Sequence, residues 1–443
     1  MSVLAPTEAP CAIALAGGRG VRARPLTLVA PQYLRSKAAM RVAGRPLIEW
    51  AVDSLRSQGV RRFYVLANGR ENRTQTMEIL GDGGGRGVEV RYSRARFDAW
   101  NTGSGEATLR CLEYWDVSGT AVVFPTDSVF DFDLDAMTRR HEESDAVVTV
   151  ATVLREPHEA ARKYGVLAQD SAGTVRRFLE KPPLDEARRV CGGGPVPTNA
   201  GLYLINGKRL REAGREPGLA LMARSRLDWG ADLLPYLVRQ GHRVRAHPIG
   251  RFGDLGSPRD YLDTMRALLR GDYPALSGRI DPPAAAPHGP RIDVSSLNLR
   301  DTVSGLTLAD KLARGLVRIG PNVRVGRDVE LAPGAVLEDC DIADGVDVGE
   351  GSELIGVACA DHAIIGSWAR ITDSVLGASA VIGSSREQPT VLEDCCVLGD
   401  ESKVPPGTWL RAVELFPRLT VRAGVGVPPG SRLDEPGELA RWN

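Results

Sequence analysis

Residues 14–46 read ALAGGRGVRARPLTLVAPQYLRSKAAMRVAGRP, and the reading of this stretch decides what the first half of the chain is. An apolar run, Cys11 to Ala16, predicts a strand that ends in Gly17-Gly18-Arg19-Gly20, with further arginines at Arg22 and Arg24. Three glycines in four positions let backbone N–H groups come close to a ligand that any Cβ would hold away. Successive N–H groups in such a turn form an anion-binding concavity, and arginine adds planar forks matched to phosphate oxygens. Lys37 follows, then Gly44-Arg45-Pro46 and an amphipathic run from Leu47 to Leu55. The stretch therefore reads as a phosphate cradle followed by a lysine, and not as a P-loop, whose G-x-x-x-x-G-K-[ST] spacing is absent.

Working outward, short apolar runs alternate with amphipathic segments as far as about Val150. Arg62 to Ala67, Val88 to Tyr92 and Ala121 to Phe124 predict strands; Pro46 to Gln58 and Gly105 to Trp115 carry helical periodicity. This alternation implies an α/β fold with a mostly parallel sheet and ligands near the carboxyl ends of its strands. A second glycine-containing turn, Asn101 to Ala107, leads into a helix whose first amides could hold an anion or a base edge. The strand ending at Phe124 leads to Asp127, and carboxylates at strand ends suit Mg²⁺. Asp131, Asp133 and Asp135 lie close by, but their alternation with Phe132 and Leu134 fits a solvated face better. Further strands are expected at Ala146 to Val153, Gly165 to Ala168, Val175 to Leu179 and Gly201 to Ile205, with a helix over Pro258 to Leu269.

At 443 residues the chain is too long for one ordinary core, and 43% hydrophobic with 25% charged residues marks a soluble globular protein. The formal net charge of zero gives no global electrostatic reason for nucleic acid or a membrane as partner. The start of the chain lacks a charged region followed by an apolar core, so a cytoplasmic location is expected. Seven cysteines without C-x-x-C spacing fit reduced thiols. Composition changes at residues 271–305, which are rich in Pro, Gly and Ala and read as a linker. Beyond it aliphatic residues recur every six positions, as in Val317, Val323 and Val329 and again Ile342 and Val348, with Val346 and Ile364-Ile365 in the same pattern. That period marks a hexapeptide β-helix. Breaks in phase at Glu338–Asp341 and Val357–His362 suggest loop insertions, and Pro428-Pro429-Gly430 is expected to end the solenoid.

The string GGRGxRxxPLT, with a lysine seven residues before G-x-P, resembles the signature of the sugar-nucleotide pyrophosphorylases, which join a nucleoside triphosphate to a sugar 1-phosphate. Further pieces of that pattern follow in order: Tyr164-Gly165-Val166, Glu180-Lys181-Pro182, Asn199-Ala200-Gly201 and Phe252-Gly253-Asp254-Leu255-Gly256-Ser257-Pro258. The sequence departs from it at Ser36, where a proline usually precedes the lysine, at Thr126 for glycine, and at Phe252 for tryptophan. Val29 to Arg35 are extra. The two-part layout is similar to GDP-mannose and ADP-glucose pyrophosphorylases. It implies a Rossmann-like mixed, mostly parallel sheet domain over 1–270, a linker over 271–314 and a hexapeptide-repeat left-handed β-helix over 315–443.

The resemblance also implies roles. Arg19, Lys37 and Lys181 would be catalytic. Leu15, Ala16, Gly17, Gly18, Gly20, Arg24, Gly103, Ser104 and Gly105 would bind nucleotide. Gly165, Glu180, Lys181, Asn199, Ala200 and Gly201 would hold the sugar phosphate, and Asp127 and Asp254 would be ligands of Mg²⁺. The expected partners are a nucleoside triphosphate and a hexose or cyclitol 1-phosphate, in a homodimer or homotetramer. Two alternatives stand beside this: a non-catalytic regulatory subunit, and a bifunctional enzyme with acyl transfer at His362 on the β-helix.

Overall fold

The strand Cys11–Ala16 forms as expected and lies inside a nine-stranded mixed sheet. In this computed structural model residues 10–18, 20–94, 102–190, 192–284, 286, 289–301 and 304–435 are described. Arg62–Ala67 and Thr120–Pro125 flank Cys11–Ala16, both parallel to it, and Glu89–Tyr92 extends the parallel half beyond Arg62–Ala67. Val196–Asn206 runs antiparallel to Thr120–Pro125 and carries Val148–Arg155 and Val166–Gln169 on its other side. The parallel strands are apolar on both faces because helices cover both: Ile13, Val65, Val123 and Phe124 have no exposed surface. The helices Leu47–Ser57 and Ser104–Tyr114 stand where helical periodicity predicts them.

The chain divides into two compact units. Residues 10–18 and 48–252 form the first; residues 20–47 join residues 253–435 in the second. The signature stretch is thus cut in the middle, and its distal part belongs with the C-terminal half. Leu28 is buried in the same apolar cluster as the solenoid interior. Arg324 lies over Gly44, where a Cβ would stand 2.3 Å from the guanidinium carbon. The helix Pro258–Arg270, capped by Ser257 accepting from the Asp260 amide, runs along the solenoid. Its Arg259, Arg266 and Arg270 pair with Asp394, Asp373 and Asp339.

The solenoid consists of three all-parallel sheets of eight, six and five strands, so a β-helix is formed. Its corners carry residues at positive φ, Asp328, Gly345, His362 and Ser379 among them. Successive coils are 17 residues apart, which is why Arg327 meets Asp344 one coil on. The interior residues show why: Leu331 to Leu337 and Ile342 to Val348 keep the hexapeptide step, whereas Leu337 to Ile342, Leu354 to Cys359 and Ile371 to Leu376 are one residue shorter. The phase breaks at Glu338–Asp341 and Val357–His362 are therefore not insertions; they fall on the side that is one residue short in these coils, filled by Cys340 and Val357. The real insertion lies between the interior residues Ile382 and Leu392.

Two further expectations change. The stretch 271–314 carries the helices Val294–Asn298 and Leu308–Ala313, and Arg291–Ile292 pairs with Arg324–Val325 as the first rung of a solenoid sheet. Pro428-Pro429-Gly430 does not end the solenoid, because Arg432–Leu433 still pairs with Glu414–Leu415 and buries Leu433.

Candidate nucleotide and sugar-phosphate sites

The parallel half of the first unit sets the chemistry, since its strands all end on one edge. Pro125 is in register with Leu15, and Ala67 with Ala16, so Gly17, Asn68 and Asp127 leave the sheet side by side. Asn72 Nδ2 donates to Gly18 O at 3.3 Å and fixes the start of the glycine turn. A cleft of about 220 Å³ opens there, lined by Leu15, Gly17 and Gly18, by Asn68 and Ser93, and by Gly103 and Ser104. Tyr114 and Trp115 form one wall; Trp115 stacks on Tyr64 at 4.6 Å and meets Tyr114 edge-on at 5.1 Å. Arg110, Arg226 and Asp228 supply charge. A cavity of mostly apolar walls with a few polar groups suits a planar heterocycle.

Of the nucleotide residues expected from sequence, Leu15, Gly17, Gly18, Gly103 and Ser104 line this cleft, while Ala16 and Gly105 do not. Ala16 is buried in the sheet. The amides of Gly105 and Glu106 donate to Leu227 O at 2.8 and 3.1 Å, and that of Ser104 to Asp228 Oδ1 at 3.2 Å. The start of the helix Ser104–Tyr114 is thus taken up inside the protein, and the expectation that these amides hold an anion is corrected. The glycine at 103 is explained by the same packing, for a Cβ would stand 2.3 Å from Leu227 O. Asn68 was missed, although its place just past a strand of the parallel sheet could have found it. Arg226 and Asp228 carried no sequence signal, because they reach the cleft from a distant segment that happens to pack on this turn.

Arg19 and Asn101 lie outside the described residues. Gly20 and Arg24 lie in the second unit. Gly20 has φ 59°, and a Cβ there would approach Thr27 Cγ2 to 2.6 Å. Thr27 Oγ1 donates to Gly20 O at 2.9 Å, closing the turn. Arg24 Nε is buried and has no hydrogen-bond partner among the described residues. Lys37 opens a short 3-10 turn, Lys37–Ala39. Ser36 before it has φ −59°, within the range proline imposes, so the departure from the family pattern keeps the backbone path.

The proposed sugar-phosphate residues come together in the first unit. Asn199-Ala200-Gly201 does not precede a strand, as the sequence suggested; it sits inside Val196–Asn206 at a bulge, where pairing with Val148–Arg155 shifts between Val150 and Thr152. A bulge re-aims side chains beside functional sites. Gly201 takes φ 79°, and its amide donates to Asn199 Oδ1 at 2.8 Å. Asn199 Nδ2 donates to Tyr203 Oη at 2.9 Å, and the Asn199 amide to Gly165 O at 2.8 Å. Gly165 faces Phe178 and Glu180, where a Cβ would stand 2.5 Å from the ring and 3.0 Å from the carboxylate. Burial pushes the Glu180 carboxyl above its usual range, and Lys181 Nζ, 3.6 Å from Glu180 Oε1, partly reverses that. Ala200 is buried, at the bulge itself.

Asp127 is half-buried beyond Thr120–Pro125, with Ser128 Oγ donating to its Oδ1 at 3.4 Å. Thr126, in the place of a family glycine, is buried and bonds Leu15 O through its amide and Oγ1, each at 3.3 Å. Asp254 ends Arg251–Asp254 in the second unit and accepts the Gly256 amide at 3.1 Å. Asp133 instead caps the helix Leu134–Glu143, accepting from the Ala136 amide. Phe252, in the place of a family tryptophan, meets Tyr164 edge-on at 5.5 Å, with the Arg155 guanidinium over both rings. His362 stands at an exposed solenoid corner with its ring against Gly345.

A family model described as nucleotidyl transferase matches residues 11–271, and one described as the GMPPB C-terminal domain matches residues 313–427. The chain belongs to the nucleotidyl transferase family and is an enzyme of that class. It is similar to glucose-1-phosphate adenylyltransferase of Desulfitobacterium hafniense, with 24% identity over 418 residues, covering 90% of this chain and 95% of the relative. It is also similar to the probable mannose-1-phosphate guanylyltransferase 2 of Arabidopsis thaliana, 26% identical over 378 residues, covering 84% and 92%. Glucose-1-phosphate adenylyltransferase of Rhodococcus erythropolis is 32% identical over 242 residues, covering 52% and 56%.

Proposed function

We propose that the enzyme joins a nucleoside triphosphate to a sugar 1-phosphate, giving a nucleoside diphosphate sugar of the GDP-mannose or ADP-glucose type and pyrophosphate. The observation that carries this is the aromatic-walled cleft into which Gly17 and Gly18 open at the carboxyl ends of the parallel strands. The attacking group is a phosphate oxygen that is already ionised, so no general base is required. Positioning two polyanions and neutralising their charge carry the reaction. In this reading Arg19, Arg24 and Lys37 meet the charge that develops on the α-phosphate and the departing pyrophosphate. Lys181 holds the acceptor phosphate, and Glu180 and the bulge at Asn199–Gly201 hold sugar hydroxyls.

Asp127 and Asp254 are the proposed ligands of Mg²⁺. Each is a hard carboxylate, Asp127 just beyond Thr120–Pro125 and Asp254 at the end of Arg251–Asp254. An ion that takes one or two carboxylates and completes its shell with substrate oxygens suits such a set. When bound it would neutralise phosphoryl charge. We further propose a homodimer or homotetramer to which the β-helix contributes contacts; Ile364 and Trp409 are 46% and 51% exposed on its outer faces. Among the described residues no helix is long and apolar enough to cross a membrane; a cytoplasmic location is proposed. Measuring pyrophosphate release with each of the common nucleoside triphosphates and a panel of sugar and cyclitol 1-phosphates tests the reaction and names both substrates.

A further inference from the structure

Resting on that reading for the substrate served, we propose that Arg35 and Asp400 are positioning residues: through their ion pair the β-helix fixes the Gly20 turn and Lys37 in the geometry the nucleotide's phosphates need. Every contact that carries this lies within the second unit. The extra residues after PLT fold into a hairpin, Leu28–Ala30 against Tyr33–Leu34, which brings Arg35 back beside the motif. There the Arg35 amide donates to Thr27 O at 2.9 Å, and Nη1 donates to Leu26 O at 3.2 Å. Nη2 pairs with Asp400 Oδ2. Thr27 in turn closes the Gly20 turn through its Oγ1. On the other side, Arg35 is followed directly by buried Ser36 and by Lys37. Arg35 therefore ties the segment down at one point, its amide to Thr27 of the glycine turn and its guanidinium to Leu26 O and Asp400, with Lys37 two residues further along the chain.

Asp400 is built to hold that guanidinium still. It is 5% exposed, and its other oxygen accepts the Ala378 amide at 3.0 Å. Its carbonyl accepts the Arg418 amide at 2.8 Å, so backbone and carboxylate are both fixed in the coil. Exposed ion pairs contribute little, but here Asp400 is buried and Arg35 part-buried, so removing Arg35 leaves the buried Asp400 carboxylate without its cation. The segment keeps two other attachments, Leu28 in the solenoid core and Gly44 under Arg324. Loss of the pair should therefore loosen the loop without unfolding the unit. For reacting groups, a misplacement of about 1 Å costs roughly 100-fold in rate.

The test uses the full chain carrying Asp400→Asn, Arg35→Ala, Arg35→Lys or the reversal R35D/D400R. It reads turnover with the substrate pair the parent uses, melting temperature, and amide hydrogen exchange across residues 20–40. Expected for Asp400→Asn and Arg35→Ala is a fall of about tenfold or more in kcat/KM for the nucleotide. The KM for the sugar 1-phosphate should stay unchanged, the melting temperature should fall by no more than a few degrees, about what loss of one ion pair costs, and exchange at residues 20–35 should quicken. Arg35→Lys and the reversal should regain part of the lost rate. Unchanged kinetics, unchanged exchange, or a loss that tracks melting temperature and is not regained by the reversal would overturn the proposal. If the parent releases no pyrophosphate with any pair, the functional reading fails; the exchange data then decide the anchoring alone, faster exchange supporting it and unchanged exchange overturning it.

Discussion

Gly20 shows what a single residue contributes and how far sequence reveals it. The GGRG string marks a backbone that must approach a ligand, and the structure adds a second reason for glycine at this place: Thr27 occupies the space a Cβ would need. Gly20→Ala therefore both strains a positive φ and pushes Thr27 out of the turn, at a cost of about 1–3 kcal/mol. A drop of about tenfold or more in kcat/KM for the nucleotide is expected in steady-state assays. His141 makes a different kind of prediction. It is 2% exposed, its Nδ1 lies 2.8 Å from Thr149 Oγ1, and its Nε2 is buried without a partner among the described residues. Burial, reinforced by Arg209, pushes its pKa down to about 4 from an ordinary 6.5. Since the folded value is the lower one, the unfolded chain binds the extra proton. The contribution is fully present above about pH 6.5 and is lost as pH falls toward about 4, an effect of roughly 3 kcal/mol. Denaturant titrations at intervals between pH 7 and 4 should show stability falling with pH, and His141→Gln should flatten that slope. No sequence pattern pointed to His141, because its burial is a property of the packing between the helix Leu134–Glu143 and the sheet.

Among elements, local periodicity was readable and its modulation was not. Arg62–Ala67 stands where its apolar run places it, because a strand buried on both faces needs apolar side chains throughout; Val175–Leu179, at the end of the sheet with Arg176 and Arg177 exposed, also forms where expected. The bulge at Asn199–Gly201 was invisible as such, since it arises from a pairing shift against a strand about fifty positions earlier. In the solenoid the six-residue step announced the β-helix, but the side that is one residue short in these coils resembled an insertion. Its interior positions are filled by Cys340, Val357 and Cys359, which a count of aliphatic residues partly misses. Burial pushes the Cys340 thiol up to about 12, in keeping with a side chain used as a small apolar filler. Leu354→Ala empties an interior position with no exposed surface, and it should destabilise the chain by about 2–5 kcal/mol in denaturant titration. Trimming the exposed residues Arg386 to Gln388 should change stability by less than about 1 kcal/mol.

For the whole molecule, the boundary drawn from composition at about residue 270 differs from the way the chain packs. A Pro/Gly/Ala-rich stretch reads as a linker, whereas contacts from Leu28, Arg35 and Gly44 attach part of the signature segment to the C-terminal half. Truncation after Gly271 would uncover those side chains. It should give a fragment that aggregates on size exclusion and retains less than about a hundredth of the turnover; a soluble fragment with parental turnover would contradict this. Nucleotidyl transfer to a sugar 1-phosphate is read out by pyrophosphate release from the full chain, across the nucleoside triphosphates and the panel of sugar and cyclitol 1-phosphates. Expected are Mg²⁺-dependent release for one preferred pair, a matching nucleoside diphosphate sugar as product, and a loss of at least about 100-fold in both Asp127→Asn and Asp254→Asn. Release that is independent of any sugar or cyclitol 1-phosphate, or undiminished in both variants, would contradict it.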